Sequence, residues 1–367
     1  MVQQRIALAT LVLALFAAAC GTSASVDEAD AGQGSVETTV PRADDDFQSA
    51  GLVDADVSTT DVRVDLDEVT SADDVVPVPE GEVVIDEGAF PRTVDHVFGP
   101  SEIPTAPKRI VALAGVADFD ALLSLGVVPY AAASYYPQNF RGERGFAPWN
   151  TEYTGEIETF ISAGGAFSLE ALAALEPDLI VGQEGSVGQN YDRYAEIAPT
   201  VLHGYPTDWR EPIRIFGEAL ALEDEAAAAI ARIEAEIQVI ADRVPEDPPA
   251  VAMVSPFAFG EVTIYNENLG AGPALALTEI GIPIVGPDGP ISMERLGELD
   301  EADWIVVFDF ALSDVDGFLE DPIFQQLSAA QEGNVVRLSP EQSFSWVLET
   351  SRSLPATLDG ILTSIGL

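Results

Sequence analysis

The sequence predicts an α/β protein of two pseudo-symmetric three-layer lobes, joined by one long backbone helix and enclosing a ligand cleft between them. Three observations predict it: a long-range repeat, alternating strand and helix patterns around each copy, and a long amphipathic helix between the copies. The part of the chain with these patterns, roughly 280 residues, is long enough for two lobes with their own cores.

The repeat joins residues 168–181 to residues 292–306. Ser, Glu and both Leu recur 124 residues later, and the following Asp, Ile and Val recur 125 residues later. Ser suits a helix N-cap, Glu suits the first turn, and the apolar run suits a strand buried on both faces. Solenoid repeats are much shorter, roughly 20–50 residues. The repeat therefore indicates two similar lobes, and a cleft between lobes is where a ligand is expected.

The chain begins with the features of a secretory signal, which we assign to residues 1–19. A positive start ending at Arg5, an apolar core over 6–16 and small residues at 17–19 precede Cys20. Cys20 is the only cysteine of the chain, so no intramolecular disulfide can form. Its place directly after the cleavage site resembles the lipid acceptor of bacterial lipoproteins. An ordinary secretory peptide cut elsewhere is the alternative.

Residues 20–88 are acidic and poor in apolar side chains, with acidic runs at 44–46, 65–68 and 73–74. Such a segment buries too little surface to offset its ordering entropy, so we predict a disordered tether between a lipid and the folded body. About 70 flexible residues span roughly 45 Å on average. An acidic tail that binds Ca²⁺ is the alternative.

The charge balance excludes one class of partner. The chain has 62 acidic and 16 basic residues, a net charge of −46, and Lys108 is its single lysine. Nucleic-acid binding needs basic surface, so no nucleic-acid partner is expected. Anionic lipid would repel this surface, so membrane attachment would depend on the lipid at Cys20.

The N-terminal lobe is assigned to residues 89–210. Its first strand is predicted over 109–114, followed by a helix over 118–125 and a second strand over 127–132.

The connecting helix is assigned to residues 211–244, where apolar residues recur at spacings of three, four and seven. Pro212 suits the first turn, Pro245 ends the pattern, and residues 222–224 are a candidate break. The C-terminal lobe, 245–367, opens with strands over 251–255 and 261–265 and a helix that ends at Gly281.

Several motifs in this order are similar to one family. They are 90–94 with Gly99, 106–113, 120–129, the two repeat copies, and 321–327 followed by Ala330, Gly333 and Val335. Together they extend over nearly all of residues 90–367. The chain thereby resembles the substrate-binding lipoproteins of iron–siderophore and cobalamin ABC importers, the periplasmic binding proteins built on a helical backbone.

The resemblance implies a function in iron–siderophore transport. The protein would be a membrane-anchored, extracytoplasmic lipoprotein that captures a ferric siderophore and delivers it to an ABC permease dimer with its ATPase. It implies a monomer that acts by binding, with no catalytic residues, no resident metal and no cofactor. It also implies that Glu170 and Glu294 dock against arginine pockets on the two permease halves. From the residues alone, both glutamates are equally explained as favourable acids in a first helical turn.

Candidate ligand-binding residues follow the strands, because the carboxyl ends of strands line such clefts. Aromatic residues and arginines, unusual in so acidic a chain, cluster after the second strand: Tyr135, Tyr136, Arg141, Arg144 and Trp149. The second lobe adds Phe257, Trp346 and Arg352. Arginine offers several donors to an anionic chelate, and aromatics cover its apolar parts. Core packing for the aromatics and surface ion pairs for the arginines are the alternatives.

Residue counts weigh against other ligands. A bare Zn²⁺ or Mn²⁺ receptor needs clustered ligands, and His96 and His203 are the only histidines. Haem, with a tyrosine such as Tyr265 as axial ligand, and cobalamin remain alternatives of the same fold, as does a tethered ligand sensor. We find no phosphate loop, no nucleophile elbow and no Ser–His–acid arrangement, so the chain is not expected to be an enzyme.

Overall fold

The structure is a computed structural model. It describes residues 75–81, 83–134, 147–154, 157–161, 168–204, 208–257, 260–266, 272–310, 313–339, 343 and 351–367.

The folded body begins before the predicted boundary at residue 88. Val75 and Val76 are buried in the main core. The N–H of Val76 donates to the carbonyl of Arg352 at 3.0 Å, and the carbonyl of Val76 accepts from Arg352 Nε at 2.8 Å. The predicted disorder of the tether up to residue 88 is therefore wrong for its last part. An apolar pair in an acidic segment docks on a residue 276 positions away.

A hairpin follows, with strands β1 (Arg92–His96) and β2 (Gly99–Ile103). Residues 90–94 and Gly99, which form one of the motifs that carry the family resemblance, fall at the start and at the turn of this hairpin. Gly99 has a φ of +99°, which favours glycine at the turn.

The strands of the first lobe form a parallel sheet in the order β5-β4-β3-β6-β7. They are β3 (Ile110–Ala112), β4 (Ala131–Ser134), β5 (Glu158–Ile161), β6 (Leu179–Gln183) and β7 (Thr200–His203). The helices of this lobe are α1 (Val116–Ser124), α2 (Thr151–Thr154), α3 (Leu169–Ala174), α4 (Glu184–Val187) and α5 (Tyr191–Ala195).

Strand β4 begins four residues later than predicted. The N–H of Val127 donates to the carbonyl of Leu122 at 3.0 Å, which closes the end of α1. Gly126, with a φ of +77°, makes this closing turn. Residues 127–130 therefore complete the turn before the sheet resumes.

The predicted connecting helix is two helices, α6 (Arg210–Leu220) and α7 (Glu223–Ala241). The break falls at Ala221, which has a left-handed φ of +57°, so the candidate break in the sequence marks a real turn. A Cβ added to Gly217 would lie 2.6 Å from the Ala226 side chain, so glycine allows the two helices to pack closely.

In the second lobe the strand order is β10-β9-β8-β11-β12. The strands are β8 (Val251–Phe257), β9 (Glu261–Ile264), β10 (Ile291–Ser292), β11 (Trp304–Val307) and β12 (Val335–Arg337). The helices are α8 (Gly272–Glu279), α9 (Val315–Glu320), α10 (Ser328–Glu332) and α11 (Leu354–Ser364). Strands β8, β11 and β12 are parallel, whereas β9 is antiparallel to both of its neighbours.

Both faces of each sheet are buried, as the prediction of three-layer lobes requires. In the first lobe Ala112 faces the main core and Val111 faces a separate cluster. In the second lobe Met253 faces the main core and Val254 faces another cluster. The main core also contains the buried face of α7, so the two lobes share one continuous core.

Candidate ligand cleft and docking glutamates

In the first lobe, the carboxyl ends of β3, β6 and β7 lead to a buried acid–imidazole pair. Asp118 Oδ1 lies 3.1 Å from His203 Nε2, and both side chains are fully buried. The N–H of Ala114 donates to Asp118 Oδ2 at 2.6 Å, and His203 Nδ1 lies 2.9 Å from the carbonyl of Gly204. The pair braces the end of β7 against the start of α1, and it leaves His203 enclosed by protein.

His96 belongs to the opening hairpin. Its Nε2 lies 2.9 Å from Ser101 Oγ, and its Nδ1 accepts from the N–H of Phe98 at 3.3 Å. Among the described residues, no group of three or more His, Cys, Asp or Glu side chains is arranged to hold a metal ion.

In the second lobe, the carboxyl ends of β11 and β12 carry an arginine between two acids. Arg337 donates to Asp309 Oδ2 at 2.6 Å and to Asp316 Oδ1 at 2.7 Å, and its side chain is 41% exposed. Burial lowers the pKa of Arg337, but the bonds to the two carboxylates outweigh burial and raise the pKa overall. Arg337 was not predicted from the sequence, although its position at the end of a strand that follows Gly333 was a usable signal.

Serine hydroxyls shape the backbone beside this arginine. Ser343 Oγ accepts from the N–H of Asp309 at 2.8 Å, and Ser313 Oγ accepts from the N–H of Phe310 at 3.2 Å. Phe308 and Phe310 stack at 5.9 Å between ring centroids and are buried in the main core. Both aromatic rings therefore belong to the packed interior next to this edge of the sheet.

Two predicted ligand residues, Trp149 and Arg352, lie in one buried polar cluster around Asp120. Arg352 Nη1 donates to Asn150 Oδ1 at 2.7 Å and lies 3.9 Å from Asp120 Oδ1. Asn150 Nδ2 donates to Asp120 Oδ1 at 2.6 Å, and Trp149 Nε1 lies within 3.4 Å of Asp120 Oδ2. Arg352 is 2% exposed and Trp149 is 1% exposed, so both side chains are engaged by protein groups.

Burial dominates the electrostatics of this cluster. Burial raises the pKa of Asp120, while the charge of Arg352 and the hydrogen bonds of Asn150 and Trp149 act in the opposite direction. The guanidinium of Arg352 also lies 5.9 Å from the ring centre of Tyr153. Burial, together with the bond and charge of Glu152, raises the pKa of Tyr153 to about 12.

The other predicted ligand residues cannot be placed. Tyr135, Tyr136, Arg141, Arg144 and Trp346 lie outside the described residues, as does Cys20. Phe257 ends strand β8, and its side chain also lies outside the described part.

Glu170 and Glu294 occupy equivalent, exposed positions at the start of the repeat elements. Glu170 follows the N-cap Ser168 of α3, and Glu294 follows Ser292 at a 3₁₀ helix, Met293–Leu299. The pKa of each glutamate is lowered, by its own backbone N–H first and by the preceding serine second. Each element precedes a central strand of its sheet, β6 in the first lobe and β11 in the second.

Most described basic side chains bind protein groups. Arg210 bonds to Glu234 of α7 and Glu279 of α8, at 2.7 Å each. Arg92 pairs with Glu223 at the start of α7, and Arg243 pairs with Asp359 of α11. The first lobe is thus connected to the start of α7, and the residues just after α7 are connected to α11 of the second lobe. None of the helices in the described ranges is long and apolar enough to cross a membrane.

A family model described as periplasmic binding protein matches residues 126–342. The chain is 28% identical over 194 residues to the probable siderophore-binding lipoprotein YfiY of Bacillus subtilis, an alignment covering 52% of this chain and 56% of YfiY. It is 26% identical over 270 residues to the Fe(3+) dicitrate-binding periplasmic protein FecB of Escherichia coli, covering 70% of this chain and 84% of FecB. The match thus spans less than two thirds of YfiY but most of FecB.

Two solved structures share the fold. A periplasmic solute binding protein from Mycobacterium smegmatis superposes with a TM-score of 0.64 at 26% identity, over 74% of this chain and 96% of that one. SirA of Staphylococcus aureus, solved with staphyloferrin B, superposes with a TM-score of 0.63 at 21% identity, over 75% of this chain and 98% of SirA.

Proposed function

Because this chain belongs to the periplasmic binding protein family, we propose that it is the substrate-binding subunit of an ABC importer and captures a ferric siderophore. The observation that carries the proposal is the alignment with proteins named for ferric dicitrate and siderophore binding, which reaches 70% of the chain. The protein acts by binding and release outside the cytoplasm, not by catalysis, and the iron chelate is its cargo. A lipid on Cys20 anchors it to the membrane.

The ligand is held mainly by the cations of residues 135–146. Arg141 and Arg144 oppose the negative charge of a ferric chelate, and Tyr135, Tyr136 and Trp346 cover its apolar parts. Support comes from the basic side chains of the described part, most of which bind protein groups. Arg352 and Trp149 contribute indirectly, because both belong to the buried cluster around Asp120.

The protein delivers its cargo by docking Glu170 and Glu294 on a permease dimer. Both carboxylates are exposed, both occupy the same place in a repeated element, and the pKa of each is lowered by its own backbone N–H and by the serine two residues before it. A pair of pseudo-symmetric acids fits a partner with two similar basic surfaces. The α7 spine and its ion pairs to both lobes limit closure of the lobes to a small angle.

Haem is the weaker cargo. A haem receptor commonly supplies an axial His, Met or Tyr. His203 is fully buried against Asp118, and His96 is bonded within the hairpin, so neither histidine is available without rearrangement. Tyr265, the tyrosine named above as a possible axial ligand, is buried with its ring centre 4.8 Å from that of Phe308.

The test is a tryptophan-fluorescence titration of the full-length chain with ferric citrate, ferrichrome, a ferric tris-catecholate, haemin and cobalamin. We expect saturable sub-micromolar quenching by a ferric chelate and at least tenfold weaker binding by Arg141→Ala/Arg144→Ala. The matched control is Arg295→Ala, which removes an exposed arginine bonded to Glu298 in the second lobe and leaves affinity unchanged. Binding of haemin or cobalamin alone would overturn the cargo, and silence towards all five would overturn the function.

Docking is tested separately, in vesicles that contain the permease and its ATPase. Glu170→Gln/Glu294→Gln is expected to abolish stimulation of ATP hydrolysis while the affinity for the chelate stays unchanged. Glu332→Gln, an exposed acid outside the repeat, is the control. Full stimulation by the double variant would contradict docking through these glutamates.

A further inference from the structure

The buried cluster around Asp120 joins chain segments from both lobes. Asp120 lies on α1 of the first lobe, Asn150 follows in the same lobe, and Arg352 belongs to the C-terminal segment. Arg352 also binds the carbonyl of Val76 and so holds the N-terminal arm, by which we mean the described residues before β1, 75–81 and 83–91. Its backbone N–H adds a bond to Asp120. One carboxylate therefore connects positions up to 232 residues apart through a single arginine.

Hydroxyl contacts extend the cluster one helical turn further. Ser124 Oγ donates to the carbonyl of Asp120 at 2.8 Å and lies 3.4 Å from Ser351 Oγ. Arg232 of α7 approaches the carbonyl of Ser124 at 3.5 Å. The segment 351–353 is thus fixed to the first lobe at two successive residues.

The two segments held in this way, 147–150 and 351–353, each follow a stretch of the sequence that carries predicted ligand residues. Residues 147–150 directly follow 135–146, which carry Arg141 and Arg144. Residues 351–353 directly follow 344–350, which carry Trp346. Both stretches are those to which the proposed function assigns the ligand, one from each lobe. The cluster therefore holds the described residues that directly follow each of these stretches in the sequence.

Within the buried cluster, Asp120 is the residue whose replacement is expected to disturb the other charges most. The Asp120 side chain is fully buried and that of Arg352 is 3% exposed, so each charge depends on its partner instead of on water. Arg232 is close enough that burial and the charge of Arg352 lower its pKa. Removing the negative charge of Asp120 would leave two guanidinium groups near each other without this carboxylate.

We infer that Asp120 is a positioning residue for ligand binding. Through Arg352 and Asn150 it holds residues 147–150 and 351–353, which directly follow the two stretches assigned to the ligand, in a fixed position relative to each other. This inference rests on the proposed function for its ligand, but the contacts it invokes are independent of the ligand. It replaces the predicted role of Arg352 as a direct ligand contact, because the guanidinium is bound to Val76, Asn150 and Asp120.

The first experiment needs no ligand. Hydrogen–deuterium exchange of the full-length chain is compared with Asp120→Asn and Arg352→Lys. Asp120→Asn, in the first lobe, should accelerate exchange at least tenfold at residues 351–353 and at Val76. Arg352→Lys keeps the charge but lacks the planar fork, and it should accelerate exchange at 148–154 of the first lobe.

The control is Arg243→Met, which removes an arginine that lies two residues after α7 and pairs with Asp359 of α11, outside the cluster. It should leave exchange at 148–154 unchanged. Acceleration confined to α1 in Asp120→Asn, or to 351–367 in Arg352→Lys, would overturn the inference, because the segments would then move independently.

The second experiment measures affinity for ferric citrate, ferrichrome and a ferric tris-catecholate by the same titration. For each chelate that binds the wild type, Asp120→Asn should raise Kd at least tenfold, whereas Arg243→Met should change it less than twofold. Asp120→Asn/Arg352→Lys should be no weaker than the poorer single variant, since both changes break one contact.

The two experiments separate the two failures. If no chelate binds the wild type, the proposed function fails and the exchange experiment alone decides whether Asp120 couples the segments. If chelates bind and Asp120→Asn keeps wild-type affinity, the positioning role fails while the proposed function stands.

Discussion

The two lobes are alike on one side of their sheets and different on the other. The repeat element precedes β6 in the first lobe and β11 in the second, and each strand pairs in parallel with the first strand of its sheet, β3 or β8. On the far side, β4 and β5 are parallel to β3, whereas β9 is antiparallel to β8. The repeat therefore marks the half of each lobe that is built in the same way.

The difference arises directly after the first strand of each lobe. From β3 the chain crosses to β4 through α1, but the strand after β8 is the antiparallel β9, which is preceded by Gly260 with a φ of +79°. Between α8 and β10, the described residues form one isolated parallel bridge to β8, which joins Val251 and Ile284. The hairpin occupies the place that the crossover strand takes in the first lobe. Both proposed docking glutamates lie in the half that the lobes share.

The largest expected effect on stability concerns the second leucine of the repeat, Leu175 in the first lobe and Leu299 in the second. Leu299 is fully buried, but its counterpart Leu175 is only partly buried. Leu299→Ala should lower the free energy of unfolding by about 2–5 kcal/mol and Leu175→Ala by about 1–2 kcal/mol, measured by urea denaturation. The first leucines, Leu172 and Leu296, are both fully buried and serve as the matched pair with equal losses. Equal losses at 175 and 299 would refute the difference in packing.

A second test concerns the glycine after the first helix of each lobe. Val127 N donates to Leu122 O in one lobe and Ile282 N to Leu277 O in the other, so both helices end in the same way. Gly281→Ala should cost about 1–2 kcal/mol for its left-handed backbone.

Gly126→Ala should cost about 1–3 kcal/mol more than that, because a Cβ there would lie 2.6 Å from Val83 of the N-terminal arm. Val83→Ala in the same chain should remove the excess, as seen in the urea midpoint. An excess that survives Val83→Ala would mean that the arm is not its cause.

The fold was predictable where its signals were local. The repeat elements and the first strand of each lobe were predicted because the pattern of each is complete within a few residues. The docking of Val76 was not, since its partner is Arg352, 276 residues away. The strand after α1 was placed too early because the N–H of Val127 is used to end the helix. Apolar periodicity does not reveal such competition.

The site was less predictable than the fold. Charge and position mark an arginine but do not identify its partner. Arg352 was assigned to the ligand, yet it binds Asp120 and Asn150 in the interior. Arg337 was overlooked, because Asp309 and Asp316 meet it only when β11, α9 and β12 assemble. The equivalence of Glu170 and Glu294 was predicted, because both occupy the same position in the two copies of the repeat.

A smaller difference lies in the serine that starts each repeat element. Ser168 Oγ accepts from the N–H of Ala171 at 3.2 Å, whereas Ser292 makes no such cap bond to its 3₁₀ helix. Ser168→Ala should cost about 1 kcal/mol and Ser292→Ala only a few tenths, both by urea denaturation. Equal costs would indicate that the two elements are capped alike.

The smallest effect concerns the protons of the glutamates themselves. The pKa of Glu170 and that of Glu294 lie below the usual value of 4.5, in each case through the glutamate's own N–H and then through the serine. A folded-state pKa below the unfolded one contributes stability above the unfolded value, and this contribution is lost as the pH falls through the folded pKa. NMR titration of the two carboxyl groups should therefore give values below 4.5.

Ser168→Ala should raise the pKa of Glu170 and leave that of Glu294 unchanged, and Ser292→Ala should do the reverse. In both variants the part due to the backbone N–H remains, so neither pKa should return fully to its usual value. If Ser292→Ala moved neither pKa while Ser168→Ala moved that of Glu170, the serine would act in one lobe alone. The likeness of Glu170 and Glu294 would then depend only on the backbone N–H groups, which both elements supply at the same position.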